Sequence, residues 1–278
     1  MVVPITRPVN MNKHRWREPG PGRTGWICLS ALALWMALAA PHAARAQGLG
    51  QTGGVAPVPS GRAGAPKDFT GYWVSVVTEQ WHLRMRMPPR GDYSMLPLNA
   101  AARRMADAWD PARDQAEGYA CRAYGAPAIM RVPGRLHLHW RDDQTLQVDI
   151  DSGTQTRLFR FGGRPPVAQP LEWQGYSVAA WERRGGRGGA PTGQLRVTTT
   201  QMRPGYVRKN GVPYSEQATL QESFDTFTEP NGETWLVATS ILTDPQYLTQ
   251  PYAMTVPFKK VPDGAGWDPT PCRADEPR

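Results

Sequence analysis

Signatures of catalysis are scarce in this sequence. It has no Gly-x-Ser-x-Gly turn, no Gly-x-x-x-x-Gly-Lys loop, no His-Glu-x-x-His pair and no Cys-x-x-Cys. Those absences remove the motif routes to an α/β-hydrolase serine, a phosphate-cradling loop, a zinc-protease helix and a dithiol redox centre. Cysteine is nearly missing, at 3 in 278 residues. One long apolar run exists, Trp26 to Ala40, interrupted only by Ser30. It falls short of the about 20 residues that a membrane-spanning helix needs. No β-α-β alternation and no internal repeat is visible, which argues against a doubly wound sheet or a solenoid. Nothing calls for a cofactor.

The apolar run reads as part of a leader. Lys13, His14, Arg15, Arg17 and Arg23 precede it, and Ala44-Arg45-Ala46 supplies small residues where a signal peptidase cuts. Residues 1–46 are expected to be a Sec-type signal peptide, leaving the rest periplasmic or secreted and not stably inserted in the membrane. An uncleaved anchor is the alternative. No twin-arginine pair precedes the run, and no cysteine stands at the cleavage point. The formal charge of +8 is partly the leader's: six of the 32 Lys and Arg and one of the 24 Asp and Glu lie in residues 1–46, leaving +3. Those remaining charges are scattered rather than clustered, which excludes a basic-surface reading for nucleic acid. Cys28 leaves with the leader, so Cys121 and Cys272 are expected to form one disulfide in an oxidising compartment.

Residues 47–67 are rich in Gly and Pro without an apolar period and read as a flexible linker. Residues 68–278 read as one domain, mainly β. Strands are expected at 69–78, 81–87, 128–132, 135–141, 145–150, 155–161, 176–182, 194–201, 217–228, 234–243 and 252–260. Turn chemistry lies between several of them, at Asp142-Asp143, Ser152-Gly153, Asn210-Gly211 and Asn231-Gly232. "GGRGGAPTG" (185–193) reads as a loop tip. Helix is expected only from the Asn99 cap onward and after Asp110-Pro111. The fold expected is an antiparallel β-barrel, because closure removes edge strands, with a short helical insertion. A two-sheet sandwich is the alternative.

Two groups of polar residues draw attention. Along 135–141 the alternation puts His137 and His139 opposite Leu136, Leu138 and Trp140. With His82 on an expected strand 81–87 they would make a three-histidine metal set, but the arginines on both faces favour an ordinary solvated surface, so no metal is expected. The second group shares faces with apolar residues. Glu222 lies between Leu220 and Phe224, and Arg157 sits with Phe159 and Phe161. A buried carboxylate and guanidinium are costly unless paired, so the two are expected either to meet in a structural pair or to build a ligand site.

"FTGYW" (69–73) resembles the Gly-x-Trp of a first lipocalin strand. "WQGYSVAAWE" (173–182), "GVPYSEQATLQESF" (211–224), "DPQYLTQPY" (244–252) and "AWDPARDQAEGYACRAYGAPAIMRVPG" (108–134) together resemble a family of exported bacterial proteins with a lipocalin-like β-barrel. The resemblance covers nearly all of the chain after the leader. It implies export and a barrel, and no particular reaction. It draws attention to Arg157, Trp173, Ser177, Trp181, Ser215, Glu216, Glu222 and Asp244. Tyr176 and Tyr214 stand where many relatives carry histidine, and the double exchange suggests that the two face each other. The function expected is binding of a small apolar or aromatic molecule inside the barrel, with Arg157, Tyr176, Trp181, Tyr214, Glu216 and Glu222 around it. Two alternatives stay open. One is a lyase, hydratase or isomerase using Tyr176, Tyr214 and Glu222 as acid and base; the other is a cell-envelope interaction module without a cavity. Oligomeric state is not readable.

Overall fold

Period-two alternation builds most of the molecule. A computed structural model describes residues 61–184 and 192–275. The expected leader, the linker up to residue 60 and loop residues 185–191 lie outside them. The strands are β1 (Gly71–Ser75), β2 (Arg135–Asp142), β3 (Thr145–Ile150), β4 (Gln155–Phe161), β5 (Tyr176–Arg184), β6 (Thr192–Thr200), β7 (Gly205–Arg208), β8 (Val212–Tyr214), β9 (Thr219–Thr228), β10 (Thr234–Thr243) and β11 (Tyr252–Val261). Nine of them close into a barrel in the order β1-β11-β10-β9-β6-β5-β4-β3-β2, while β7 and β8 form a separate hairpin. The sandwich alternative is therefore overturned. All four turn signals fall between paired strands. Gly211 is needed at its turn: its φ is +81°, and a Cβ there would overlap the Trp109 ring.

One expectation about the sheet is corrected. The barrel is mixed, because β4 and β5 run parallel, with Phe159 beside Ser177. An odd number of strands cannot close with every neighbour antiparallel, since strand direction must return to itself after one circuit. The proline-rich connection 162–175 returns the chain to the starting end of β4, where a short hairpin would have reversed it.

Helices fill the insertion between β1 and β2: α1 (Trp81–Arg84), α2 (Ala100–Asp107), α3 (Pro111–Ala116) and α4 (Ala126–Ile129). Asn99 caps α2 by accepting the Ala102 N–H, and Asp110 caps α3. The expected strands 81–87 and 128–132 do not exist. Both neighbours of β1 are already taken, by β2 and β11, so no barrel edge is open to residues 81–87. That segment turns into α1 after Gln80, whose φ is 48°. Pro127, in the first turn of α4, suits a helix start. The last residues of the expected linker are also ordered. A 3₁₀ turn, Gly61–Gly64, packs on the barrel, where Trp181 Nε1–H donates to the Gly61 carbonyl at 2.7 Å. Cys121 and Cys272 form the expected disulfide.

The interior is occupied by side chains. Trp73, Leu138, Leu146, Phe159, Leu195, Phe224 and Phe258 are fully buried in one apolar cluster. Each contributes about 1.5–3 kcal/mol by leaving water. A second cluster, including Met202, Tyr214, Leu220, Leu242 and Met254, lies toward the helical insertion. Between the clusters runs a polar layer. Glu222 falls between Leu220 of one and Phe224 of the other on β9. Ser240, its partner across β10, falls between Ala238 and Leu242.

Candidate functional site

The polar layer holds the two charges expected to meet. Arg157 Nη1 and Nη2 donate to Glu222 Oε1 and Oε2 at 2.9 and 2.5 Å, with both side chains out of contact with solvent. Nη2 also donates to Thr199 Oγ1 at 3.3 Å, and Thr199 hydrogen-bonds Ser177 at 2.8 Å. This two-pronged geometry is the strongest form of the pair. The buried Nε of Arg157 has no partner, but apolar side chains close the layer above and below.

The other candidates do not converge on it. Tyr176 is half-buried, with Arg160 over its ring and its hydroxyl near Gly163. The Tyr214 hydroxyl is enclosed between Gly125 and Gly205, has no hydrogen-bond partner, and is pushed well up in pKa by burial. The two tyrosines therefore do not pair. Trp181 packs with Phe69 and Phe161 near the 3₁₀ turn. Glu216 is exposed. Ser215 and Asp244 make a separate buried pair, in which Ser215 Oγ–H donates to Asp244 at 2.8 Å. Trp173 lies under the Arg203 guanidinium. With Glu222 bonded to Arg157 and the tyrosines elsewhere, the candidates form no common acid–base group. The three-histidine arrangement is not assembled: His82 lies on α1, and β2 pairs with β1 and β3 and not with residues 81–87.

A different group of residues forms a site-like recess. Where α1, α4 and β7 meet, a cavity of about 40 Å³ is lined by Arg84, Arg86, Arg131, Arg208 and Lys209, with Leu83, Ala128, Val132 and Val207 supplying apolar wall. The lining contains no acidic residue. Arg84 and Arg208 are each 4% exposed. Arg84 Nε–H donates to the Arg131 carbonyl and Nη1 pairs with Glu79, but its buried Nη2 has no partner. Arg208 donates to the Asp92 and Ser94 carbonyls, but its buried Nε has none. Burial pushes both guanidinium pKa values down, and the charge of Arg131 adds to the effect; Glu79 and Tyr252 oppose it. Arg131 is held by the Tyr252 hydroxyl and Gln80, and Lys209 by the Tyr124 hydroxyl. Arg131 also lines a neighbouring groove of about 340 Å³, in which Val237, Met254 and Pro257 stand beside the polar Thr78, Glu79, Gln80 and Thr255.

Sequence reasoning missed this recess. Arg84, Arg131 and Arg208 come from three separated segments, and each reads alone as a solvated charge. The one available signal was "RMRM" (84–87), where basic and apolar residues alternate. Comparison with known proteins adds no guide: no family model, curated protein or solved structure matches the chain.

Proposed function

We propose that this is an exported binding protein for a small organic anion: an apolar or aromatic body carrying a carboxylate or phosphate head. The arginine recess takes the head. One observation carries the reading. Two buried guanidinium groups line the same acid-free cavity, and each keeps a buried N–H without an acceptor. An unmet buried donor costs about 1–3 kcal/mol, more when charged. An anion would supply the missing acceptors and offset the mutual repulsion of the cations. One water centre needs roughly 10–15 Å³ of such space, so the recess has room for a compact head and not for the body. The groove beyond Arg131 is the natural place for the body.

The placement outside the cytoplasm rests on the leader-like N-terminus and on a disulfide suited to an oxidising compartment. The outward face of the barrel carries residues such as His137, Gln147, Asp149 and Arg196. That supports a barrel in water, since a lipid-facing barrel is apolar outside.

Titration calorimetry with benzoate, phenyl phosphate and neutral benzamide tests the reading. The two anions are expected to bind and benzamide is not. Arg84→Gln and Arg208→Gln should each weaken binding tenfold or more, the worth of a charge-assisted hydrogen bond of about 1.5–3 kcal/mol. Arg86→Gln, on the exposed rim, should weaken it less. Equal affinity for anion and amide, or unchanged affinity in both buried-arginine variants, contradicts the reading.

A further inference from the structure

We infer a second binding site, independent of the arginine recess: a site for an imidazole-seeking divalent transition cation on the outer face of β2 and β3, held by His137, His139 and Asp149. The strand register creates it. His137 stands directly across from Asp149, and His139 is two residues along on the same face. One ligand atom from each of the three residues falls within 4.8 Å of the others. A zinc ion held tetrahedrally at about 2.0–2.2 Å from nitrogen and oxygen needs donor atoms about 3.3–3.6 Å apart, so side-chain rotations that draw the donors together by about 1 Å close the set.

The surroundings favour a cation over an ordinary polar surface. His139 Nδ1 is buried without a hydrogen-bond partner and lies 3.7 Å from Asp149 Oδ2, too far for a hydrogen bond between them. Asp149 is already oriented: Thr156 Oγ1–H donates to its Oδ1 at 2.6 Å, and the Gln147 amide donates to both oxygens. Such outer partners fix a carboxylate for metal binding. The His137 ring is held between His139, at 4.6 Å, and a parallel Tyr72 ring, at 4.1 Å, with Trp267 edge-on beyond. The arginine that shares this face, Arg135, is folded against Gly266, and Arg141 is exposed. Two imidazoles and one carboxylate suit Zn²⁺ or its neighbours better than Mg²⁺ or Ca²⁺, which prefer all-oxygen sets. Three protein ligands leave positions open for water or for a donor from another molecule.

Calorimetric titration with Zn²⁺ alone, on protein purified without a histidine tag, tests the site. A saturable event is expected that Mg²⁺ and Ca²⁺ do not reproduce. His137→Gln with His139→Gln should abolish it, Asp149→Asn should weaken it at least tenfold, and His82→Gln should leave it unchanged. All four positions are at the surface, so melting curves without metal should stay near wild type. An event that persists in the double histidine variant, or an Asp149→Asn variant that binds as tightly as wild type, overturns the inference, as does the absence of any specific event.

Discussion

Glu222→Ala is expected to destabilise the protein by about 3–5 kcal/mol, the cost of leaving a buried partner charge uncompensated. Arg157 would lose both carboxylate acceptors and keep only Thr199. In a domain of this size about 1 kcal/mol moves Tm by roughly 2–4 °C, so scanning calorimetry should show a fall of roughly 6–20 °C. Arg157→Met should do comparable damage from the other side. The double variant Arg157→Met with Glu222→Leu is the informative one. It removes both charges and fills the layer with apolar volume, which for buried pairs is often neutral or stabilising, so most of the lost stability should return. Single variants costing less than about 1 kcal/mol, or a double variant no better than either single, would show that the pair does not work as one buried unit.

Loss of the disulfide should be the other large effect. Cys121 lies in a short 3₁₀ segment after α3, and Cys272 lies near the C-terminus, 151 positions on. The chain-entropy model gives about 5 kcal/mol for so long a loop, and removal of native disulfides typically costs 2–5 kcal/mol. The bond adds a covalent tie to the hydrogen bonds that hold the segment after β11 against the barrel. Thr270 N–H donates to the Asp151 carbonyl, Thr154 donates to the Thr270 carbonyl, and Ala274 N–H reaches Gln115. Cys121→Ala with Cys272→Ala is therefore expected to lower Tm by roughly 4–20 °C and to open the chain to protease beyond Val261. A variant that melts with wild type and resists cleavage there would show that the strap is held by its hydrogen bonds alone.

The barrel was legible because its strands alternate cleanly. Leu146, Val148 and Ile150 mark one face of β3, and "DD", "SG" and "NG" turns punctuate the pairings. The meeting of Arg157 with Glu222 was legible for the same reason: each broke an otherwise apolar face, and such charges need each other. The same alternation misled at 81–87, where Trp81, Leu83, Met85 and Met87 imitate a strand that the closed barrel has no edge to receive. Periodicity identifies which side chains point inward but not whether they fill the space they reach. Phe159 and Phe224, in contact across the centre at 5.3 Å between rings, turn the expected chamber into a core. The arginine recess was not legible because its members meet only through closure of the insertion over β7. The placement of Asp149 across from His137 depended on register, which the sequence pattern leaves open until the turn at Asp142–Gln144 is formed.

The central claim is that ligand recognition sits in the arginine recess and not in the barrel's middle. Anomalous diffraction from crystals soaked in selenate tests it most directly. A selenium peak is expected in the recess, within hydrogen-bond reach of Arg84 Nη2 and Arg208 Nε. An empty recess, with selenate bound only at other surface cations or between the rings of the barrel interior, would contradict it.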